Sequence, residues 1–250
     1  MYLHDLKNLI IFSCLEMEVM NMKKGFSLSE LLMALTIVGV IAVLTVPVIM
    51  NNIQNRIFVT KLKNTVAMIE QLAQQELIKH RTRDLSNTDF SAPDKLLTDK
   101  YFSIAKFCSG TTSKKDCWKT TATGKNKVQY KTIKKSNFDD AVGLSNLNTV
   151  ILKNGVTFSY SFVSNLKVIP KKDITALFYI DINGSEKPNI SGRDFYVFYL
   201  TNKGRVVDRD YVQKNNSSLN QKINRCKNGN NVDSYICFGA LRDNNWKMDY

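Results

Sequence analysis

The chain has 250 residues, of which 44% are hydrophobic, and its formal net charge is +13 at pH 7. This length and composition allow one packed domain plus an additional segment, and they argue against a largely disordered chain. The positive charge suits acidic partners such as nucleic acid, lipid headgroups or anionic polysaccharide, and charge alone does not choose among them.

An uncharged apolar run extends from Leu31 to Met50. As a helix this run is about 30 Å long, which is enough to cross the hydrocarbon core of a membrane. Lys23 and Lys24 precede the run, and the next basic residue is Arg56. The positive-inside rule therefore places the leading end in the cytoplasm and the remainder outside it. A buried helix of a soluble protein is the alternative interpretation.

The residues before this run differ from an ordinary secretory signal, because the small residue Gly25 precedes the apolar run instead of following it. The segment Lys23-Lys24-Gly25-Phe26-Ser27-Leu28-Ser29-Glu30 resembles the cleavage and methylation motif of type IV prepilins and type II secretion pseudopilins. The resemblance implies that a prepilin peptidase cuts after Gly25 and methylates the new N-terminal residue, Phe26. The apolar helix would then be retained in the mature protein.

Glu30 is the one acidic residue at the mouth of the apolar helix. A carboxylate is costly there unless it is neutralised or paired. The resemblance implies a partner, namely the Phe26 amine of a neighbouring subunit in a filament. The alternative is that Glu30 sits at headgroup depth, where the helix dipole favours an acid.

The stretch from Asn51 to Lys79 is predicted to continue the same helix in amphipathic form. Its apolar residues recur at near-helical spacing, at Ile53, Ile57, Leu62, Val66, Ile69, Ala73 and Leu77. Pro47 predicts a bend or a locally melted turn, because it removes a backbone donor inside the helix. A helix that is apolar all round and then amphipathic matches the pilin plan, in which the second half packs on a sheet.

Strands are predicted beyond Pro93, where the helical periodicity has ended. Asn154-Gly155 indicates a hairpin between Thr149–Leu152 and Val156–Phe162. Further strands are predicted at Ala176–Ile182, Phe195–Leu200 and Arg205–Val207, the last after a turn at Lys203-Gly204. The short connections require antiparallel pairing. The predicted fold class is α+β, namely a pilin fold with four segments. A leader occupies 1–25, with the true start at Met20 or Met22, and a transmembrane and assembly helix occupies 26–50. The helix continues in amphipathic form at 51–80, and a β-rich head follows at 81–250.

Removal of the leader discards Cys14 and His4 and leaves four cysteines in two close sequence pairs. Disulfides are predicted between Cys108 and Cys117 and between Cys226 and Cys237. Zinc and redox roles are weaker interpretations, because no C-x-x-C spacing occurs and one histidine remains, which excludes multi-histidine zinc sites. Free thiols in a reducing cytoplasm are the alternative.

The segment from Asp181 to Asp194 is rich in turn-forming residues and resembles a loop of pilin-like proteins. Oxygens of Asp181, Asn183 and Ser185 offer contacts for calcium, which some pseudopilins use to fix their C-terminal loops. A purely structural turn is the favoured interpretation, because Asp, Asn, Gly and Pro dominate turns for local reasons. No metal site or other cofactor is predicted.

Basic stretches are interleaved with aromatic residues, and this pattern allows a groove for a phosphate backbone with stacking rings. The stretches are Lys114-Lys115, Lys125–Lys135 and Lys167–Lys172, and the aromatic residues are Trp118, Tyr130 and Phe162. A solvated positive face is the favoured interpretation, since no nucleic-acid-binding fold accompanies the lysines.

Together these features predict a non-enzymatic subunit of a type II secretion pseudopilus or a type IV pilus. Its expected partners are other pilins in a homo- or hetero-oligomeric filament, the prepilin peptidase and an inner-membrane assembly platform. Its expected location is the bacterial inner membrane, with a single span, the head outside the cytoplasm and the subunit extractable into a filament. A DNA-binding pilin of an uptake system and a membrane-anchored protein of another class, such as a tethered enzyme, are the alternatives.

Overall fold

The computed structural model describes residues 27–121, 127–135, 147–163, 173–230, 233–248 and 250. The chain divides into two compact units, Met1–Asn51 and Asn52–Tyr250. The α-helices are α1 (Leu28–Lys79), α2 (Pro93–Leu96), α3 (Ser113–Asp116), α4 (Arg209–Gln213), α5 (Leu219–Asn228) and α6 (Cys237–Asp243). The strands are β1 (Ile104–Cys108), β2 (Thr149–Leu152), β3 (Thr157–Phe162), β4 (Ile174–Asp181), β5 (Phe195–Thr201) and β6 (Val206–Val207), and short 3-10 helices span Leu85–Asn87, Asp89–Ser91 and Asp233–Ile236.

Helix α1 is continuous from the apolar run into the amphipathic stretch, as predicted. Its helical backbone passes through Pro47 without interruption, so the locally melted turn expected there is absent. The bend expected at the same residue stays a prediction.

The apolar stripe in the second half of α1 begins later than the sequence predicted. Ile53 and Ile57 are 39% and 48% exposed, whereas Phe58 begins the buried face. The residues that line this face are Phe58, Leu62, Val66, Ile69, Leu72 and Ala73, with Leu77 partly buried at its end. The shift arises because Phe58, Leu62 and Val66 follow one another at four-residue steps, whereas Ile57 lies five residues before Leu62 and so falls beside the buried face.

The six strands form one antiparallel sheet in the order β1-β2-β3-β4-β5-β6. The five predicted strand regions are confirmed as β2 to β6. The hairpin turn has Gly155 at φ +87°, and the Asn154 side chain accepts from the Val156 amide at 3.1 Å. Strand β1 was not predicted. It is an edge strand with three consecutive exposed residues, so it lacks the apolar alternation that reveals a strand in sequence.

Both faces of the sheet are covered, which explains why β4 and β5 are buried along their whole length. One face packs on the buried stripe of α1 through side chains such as Phe158, Phe178 and Phe198. The other face contributes Tyr179, Val197 and similar residues to a second apolar cluster. The sheet is therefore the middle layer of the unit that spans Asn52–Tyr250.

Candidate functional site

The first turn of α1 is closed by a capping box between Ser27 and Glu30. The Ser27 hydroxyl accepts from the Glu30 amide at 3.2 Å, and the Glu30 carboxylate accepts from the Ser27 amide at 2.9 Å and from its hydroxyl at 3.0 Å. These contacts satisfy backbone donors that the helix start leaves without a partner. Glu30 therefore has a local role in starting the helix, which neither interpretation of this residue from sequence included.

Behind this cap the helix presents apolar side chains to its surroundings. The large hydrophobic residues between Leu28 and Met50 whose exposure is described are 42% to 79% exposed. The helix is long and apolar enough to cross a membrane by length and composition. An exposed apolar surface of this extent is typical of a segment that lies in lipid or against other protein.

Comparison with known families places a motif on this segment. Residues 20–46 match the family model described as the prokaryotic N-terminal methylation motif. The chain carries a prepilin-type methylation motif. This motif is typical of the type IV pilin and pseudopilin family. No curated protein and no solved structure matches the chain.

The methylation motif and the apolar helix together support membrane anchoring of a pilin-like protein. Gly25 and Phe26 lie within the matched range but outside the described residues. Cleavage after Gly25, methylation of Phe26 and the pairing of Glu30 between subunits therefore stay predictions.

The structure contains both predicted disulfides, Cys108–Cys117 and Cys226–Cys237. The first closes a loop after the edge strand β1, and the second joins α5 to the start of α6. All four sulfurs belong to buried residues, so both bonds are part of the packed interior.

The second disulfide rests against the turn-rich loop between β4 and β5. Gly192 in this loop has φ +92°, and a Cβ atom at this position would lie 2.8 Å from Cys237 Sγ. Only a residue without a side chain fits so close to the sulfur with this backbone conformation. The close approach fixes the loop to the C-terminal helices.

The three residues proposed for calcium all make hydrogen bonds within the protein. The Asp181 carboxylate accepts from the Tyr130 hydroxyl at 2.5 Å and from the Asn183 amide at 3.1 Å. The Asn183 side chain donates to the carbonyl of Glu186 at 3.0 Å, and the Ser185 hydroxyl accepts from Lys119 at 3.0 Å. The bonds of Asn183 are local bonds of a structural turn, whereas Tyr130 and Lys119 reach the loop from an earlier part of the chain.

The same loop nevertheless contains buried side-chain oxygen atoms that lack hydrogen bonds within the part of the chain that the structure describes. Asn183 Oδ1 and Asn189 Oδ1 are buried without a hydrogen-bond partner among the described residues. Burial and the neighbouring Asp194 raise the pKa of Asp181 well above its ordinary value, and burial raises the pKa of Asp194 to about 6. Calcium binding stays an untested alternative to the structural turn.

Two of the three aromatic residues of the proposed nucleic-acid groove, Trp118 and Tyr130, are not available for stacking, whereas Phe162 is partly buried. Trp118 is buried and its indole N–H donates to Thr149 and Ser159 at 3.1 and 2.8 Å. Tyr130 is also buried and donates to Asp181. The segment Lys167–Lys172 lies outside the described residues. Without accessible rings, the stacking part of the groove hypothesis is wrong for Trp118 and Tyr130.

The structure also brings together a polar group that sequence reasoning missed, at the C-terminal end of α1. Glu76 and His80 stand one helical turn apart, and Asp89 reaches them from the 3-10 helix that follows. The i, i+4 spacing of Glu76 and His80 is visible in the sequence, but the approach of Asp89 depends on the fold of the intervening segment.

Proposed function

We propose that this protein is a structural, non-enzymatic subunit of a type II secretion pseudopilus or a type IV pilus. The observation that carries the proposal is the methylation motif at residues 20–46, which leads directly into the exposed apolar half of α1. The proposed chain is made as a precursor in the inner membrane with its head outside the cytoplasm, and a prepilin peptidase cuts it after Gly25.

The two halves of α1 fit different environments in this mechanism. The first half is apolar on all sides and suits lipid before assembly and a bundle of neighbouring helices afterwards. The second half buries one face against the sheet and leaves the head attached to the helix. Subunits would stack through the first half, with Glu30 of one subunit meeting the methylated Phe26 amine of the next.

Two disulfides suit a head that works outside the reducing cytoplasm. Cys108–Cys117 braces the edge of the sheet and Cys226–Cys237 braces the C-terminal helices. The bonds support the proposed topology, in which the whole head is exported.

Processing is tested by mapping the mature N-terminus by mass spectrometry in cells that express a prepilin peptidase. The expected product begins at N-methylated Phe26. Gly25→Val should accumulate uncut precursor, because a side chain at this position obstructs the peptidase. Ser29→Ala is the matched control, because it alters a residue after the cut and leaves Gly25 intact. Normal maturation of Gly25→Val, or an N-terminus elsewhere, would contradict the proposal.

A further inference from the structure

Three potential metal ligands converge at the C-terminal end of α1. The His80 imidazole Nε2 lies 3.3 Å from Glu76 Oε2 and 3.8 Å from Asp89 Oδ1. These three ligand atoms all lie within 4.8 Å of one another. The helix carries two of them on one face, since the His80 amide still donates to the Glu76 carbonyl at 3.0 Å.

The remaining carboxylate oxygens of this group are held by other side chains. Lys79 Nζ lies 2.9 Å from Glu76 Oε1 and 2.7 Å from Asp89 Oδ2. The Tyr101 hydroxyl lies 2.8 and 2.6 Å from the same two oxygens, and its single proton is shared between them. Each carboxylate therefore has one oxygen fixed by Lys79 and Tyr101 and directs the other towards His80. The Glu76 oxygen that faces His80 also accepts from the Asp89 amide at 3.3 Å.

The position of Asp89 is set by the core of the protein. Asp89 begins a 3-10 helix that is capped by the Thr88 side chain, and the next residue, Phe90, is fully buried. The Tyr160 hydroxyl donates to the Phe90 carbonyl. These contacts fix the backbone at Asp89. The Asp89 carboxylate is therefore held near Glu76 by the packed core.

Lys79 offsets only part of the negative charge of the two carboxylates. Its ammonium is within ion-pair distance of both Glu76 and Asp89. With one lysine between two carboxylates, these three side chains keep a formal charge of −1, which favours a further cation.

The spacing and chemistry match a transition metal. Tetrahedral coordination at about 2.1 Å places ligand atoms about 3.4 Å apart. The two distances from His80, 3.3 and 3.8 Å, are close to this spacing, and all three ligand atoms lie within 4.8 Å of one another. The imidazole ligand favours zinc and its neighbours in the periodic table over calcium and magnesium. His80 is 32% exposed, which leaves an open side for water as a fourth ligand.

We propose that Glu76, His80 and Asp89 form a binding site for one divalent transition-metal ion, with zinc as the expected occupant. The ion ties the end of α1 to the segment that follows it. The site revises the expectation from sequence that the chain has no metal site, because one histidine suffices when two carboxylates complete the ligand set.

The test uses the full chain in non-ionic detergent, purified without a polyhistidine tag and stripped with EDTA. Zinc binding is measured by competition with a chromogenic chelator, and Co²⁺ is added separately to record its visible ligand-field bands. We expect one ion per chain. His80→Gln and Asp89→Asn should each weaken zinc binding at least tenfold, since even the partners that merely orient metal ligands are worth 10- to 100-fold.

Glu186→Gln is the matched control, because it removes one exposed carboxylate in another part of the chain and should bind as the wild type does. Circular dichroism in EDTA should show the same fold for all variants, so that lost binding is not lost structure. His4 and Cys14 are unchanged in every variant, so zinc binding that survives both His80→Gln and Asp89→Asn would place the ion elsewhere and overturn the proposal. Absence of binding by the wild type, or displacement of zinc by equimolar Ca²⁺ or Mg²⁺, would also overturn it.

Discussion

The Glu30 carboxylate closes the capping box at the start of α1, so its role in helix formation has to be separated from its proposed pairing between subunits. Glutamine serves in a capping box as well as glutamate does, because its side-chain oxygen still accepts from the Ser27 amide. Glu30→Gln therefore keeps the cap and removes the charge. Alanine removes both, and aspartate keeps the charge on a shorter side chain.

We expect all three variants to insert into the membrane and to be cleaved after Gly25, because Lys23, Lys24 and the apolar run are unchanged. Glu30→Gln and Glu30→Ala should fail to enter filaments, since an unpaired Phe26 amine in an apolar bundle costs several kcal/mol. Glu30→Asp should assemble partly. The measurement is the yield of sheared filaments, or cysteine crosslinking between subunits in membranes.

If Glu30→Gln assembles as the wild type does while Glu30→Ala fails, the cap and not the charge is what assembly needs. If both assemble normally, the pairing mechanism is wrong. A minor or tip subunit, or a simple membrane anchor, would then be the better interpretation.

The C-terminal helices are held by a buried group of charges around Asp208. Lys222 Nζ lies 2.7 Å from Asp208 Oδ2 and 2.6 Å from Asp243 Oδ2. Asp208 also caps α4 by accepting from the Tyr211 amide at 2.9 Å. Gly239 on α6 permits this arrangement, because a Cβ atom there would lie 2.2 Å from Asp208 Oδ2. One carboxylate thus joins α4, α5 and α6.

This group predicts how the stability of the head depends on pH. Burial alone would raise the pKa of Asp208, but the hydrogen bonds from Lys222 and Tyr211 outweigh it and lower the pKa. The folded protein therefore binds fewer protons than the unfolded chain near the ordinary aspartate pKa of about 3.9. The stabilisation is complete above that value and is lost as the pH falls through the lower pKa of the folded state.

The measurement is the free energy of unfolding in urea, from about pH 6 to about pH 2, for the wild type and Asp208→Asn. We expect the wild type to lose more stability on acidification than the variant, because the variant has no carboxylate to protonate at this position. Asp233→Asn, at a largely exposed acid near Arg225, is the control and should follow the wild type. Equal losses in the wild type and Asp208→Asn would contradict the prediction.

The elements that were predictable are those with a strong local pattern. The hairpin around Asn154-Gly155 and the apolar runs of β4 and β5 are evident from composition and turn residues alone. Helix α5 was missed although Ser218 and Gln221 form a capping box that the sequence displays. Its apolar residues are few, so periodicity gave no support, and helix α6 is short and buried on the sheet.

The candidate site was predictable where it depends on contiguous residues, as the methylation motif does. The disulfides were also predictable, because each joins cysteines that are close along the chain. The burial of Trp118 was not predictable, because its hydrogen-bond partners Thr149 and Ser159 lie on strands far along the sequence. The group of Glu76, His80 and Asp89 was missed for the same reason, since a turn of unpredicted geometry brings Asp89 back to the helix.

The net charge of +13 is a property of the whole chain, and it raises the question of DNA binding. We expect the full chain in non-ionic detergent to bind DNA weakly and without sequence preference, because Trp118 and Tyr130 are buried and leave only charge to attract phosphates. Fluorescence anisotropy at several salt concentrations should show affinity that falls steeply as salt rises.

The DNA-uptake alternative makes a different prediction for the same measurement. It requires submicromolar affinity at physiological salt that is lost when Lys131, Lys134 and Lys135 are replaced by glutamine. That result would rank DNA uptake above the scaffold role. Replacement of Lys95 and Lys100 by glutamine is the control for a general loss of positive charge.

The order of strands in the sheet has a consequence for the time course of folding. Every strand pairs with the one before or after it along the chain, so the sheet requires few long loops to close and can grow from one hairpin to the next. The buried stripe from Phe58 to Ala73 is different, because the sheet residues of its cluster, on β3, β4 and β5, come much later in the sequence. During synthesis the N-terminus leaves the ribosome first, so this stripe is made early. It lacks the sheet face that covers it until the strands have been made and paired. The interval between the two events is when the head is most exposed to proteases and to aggregation.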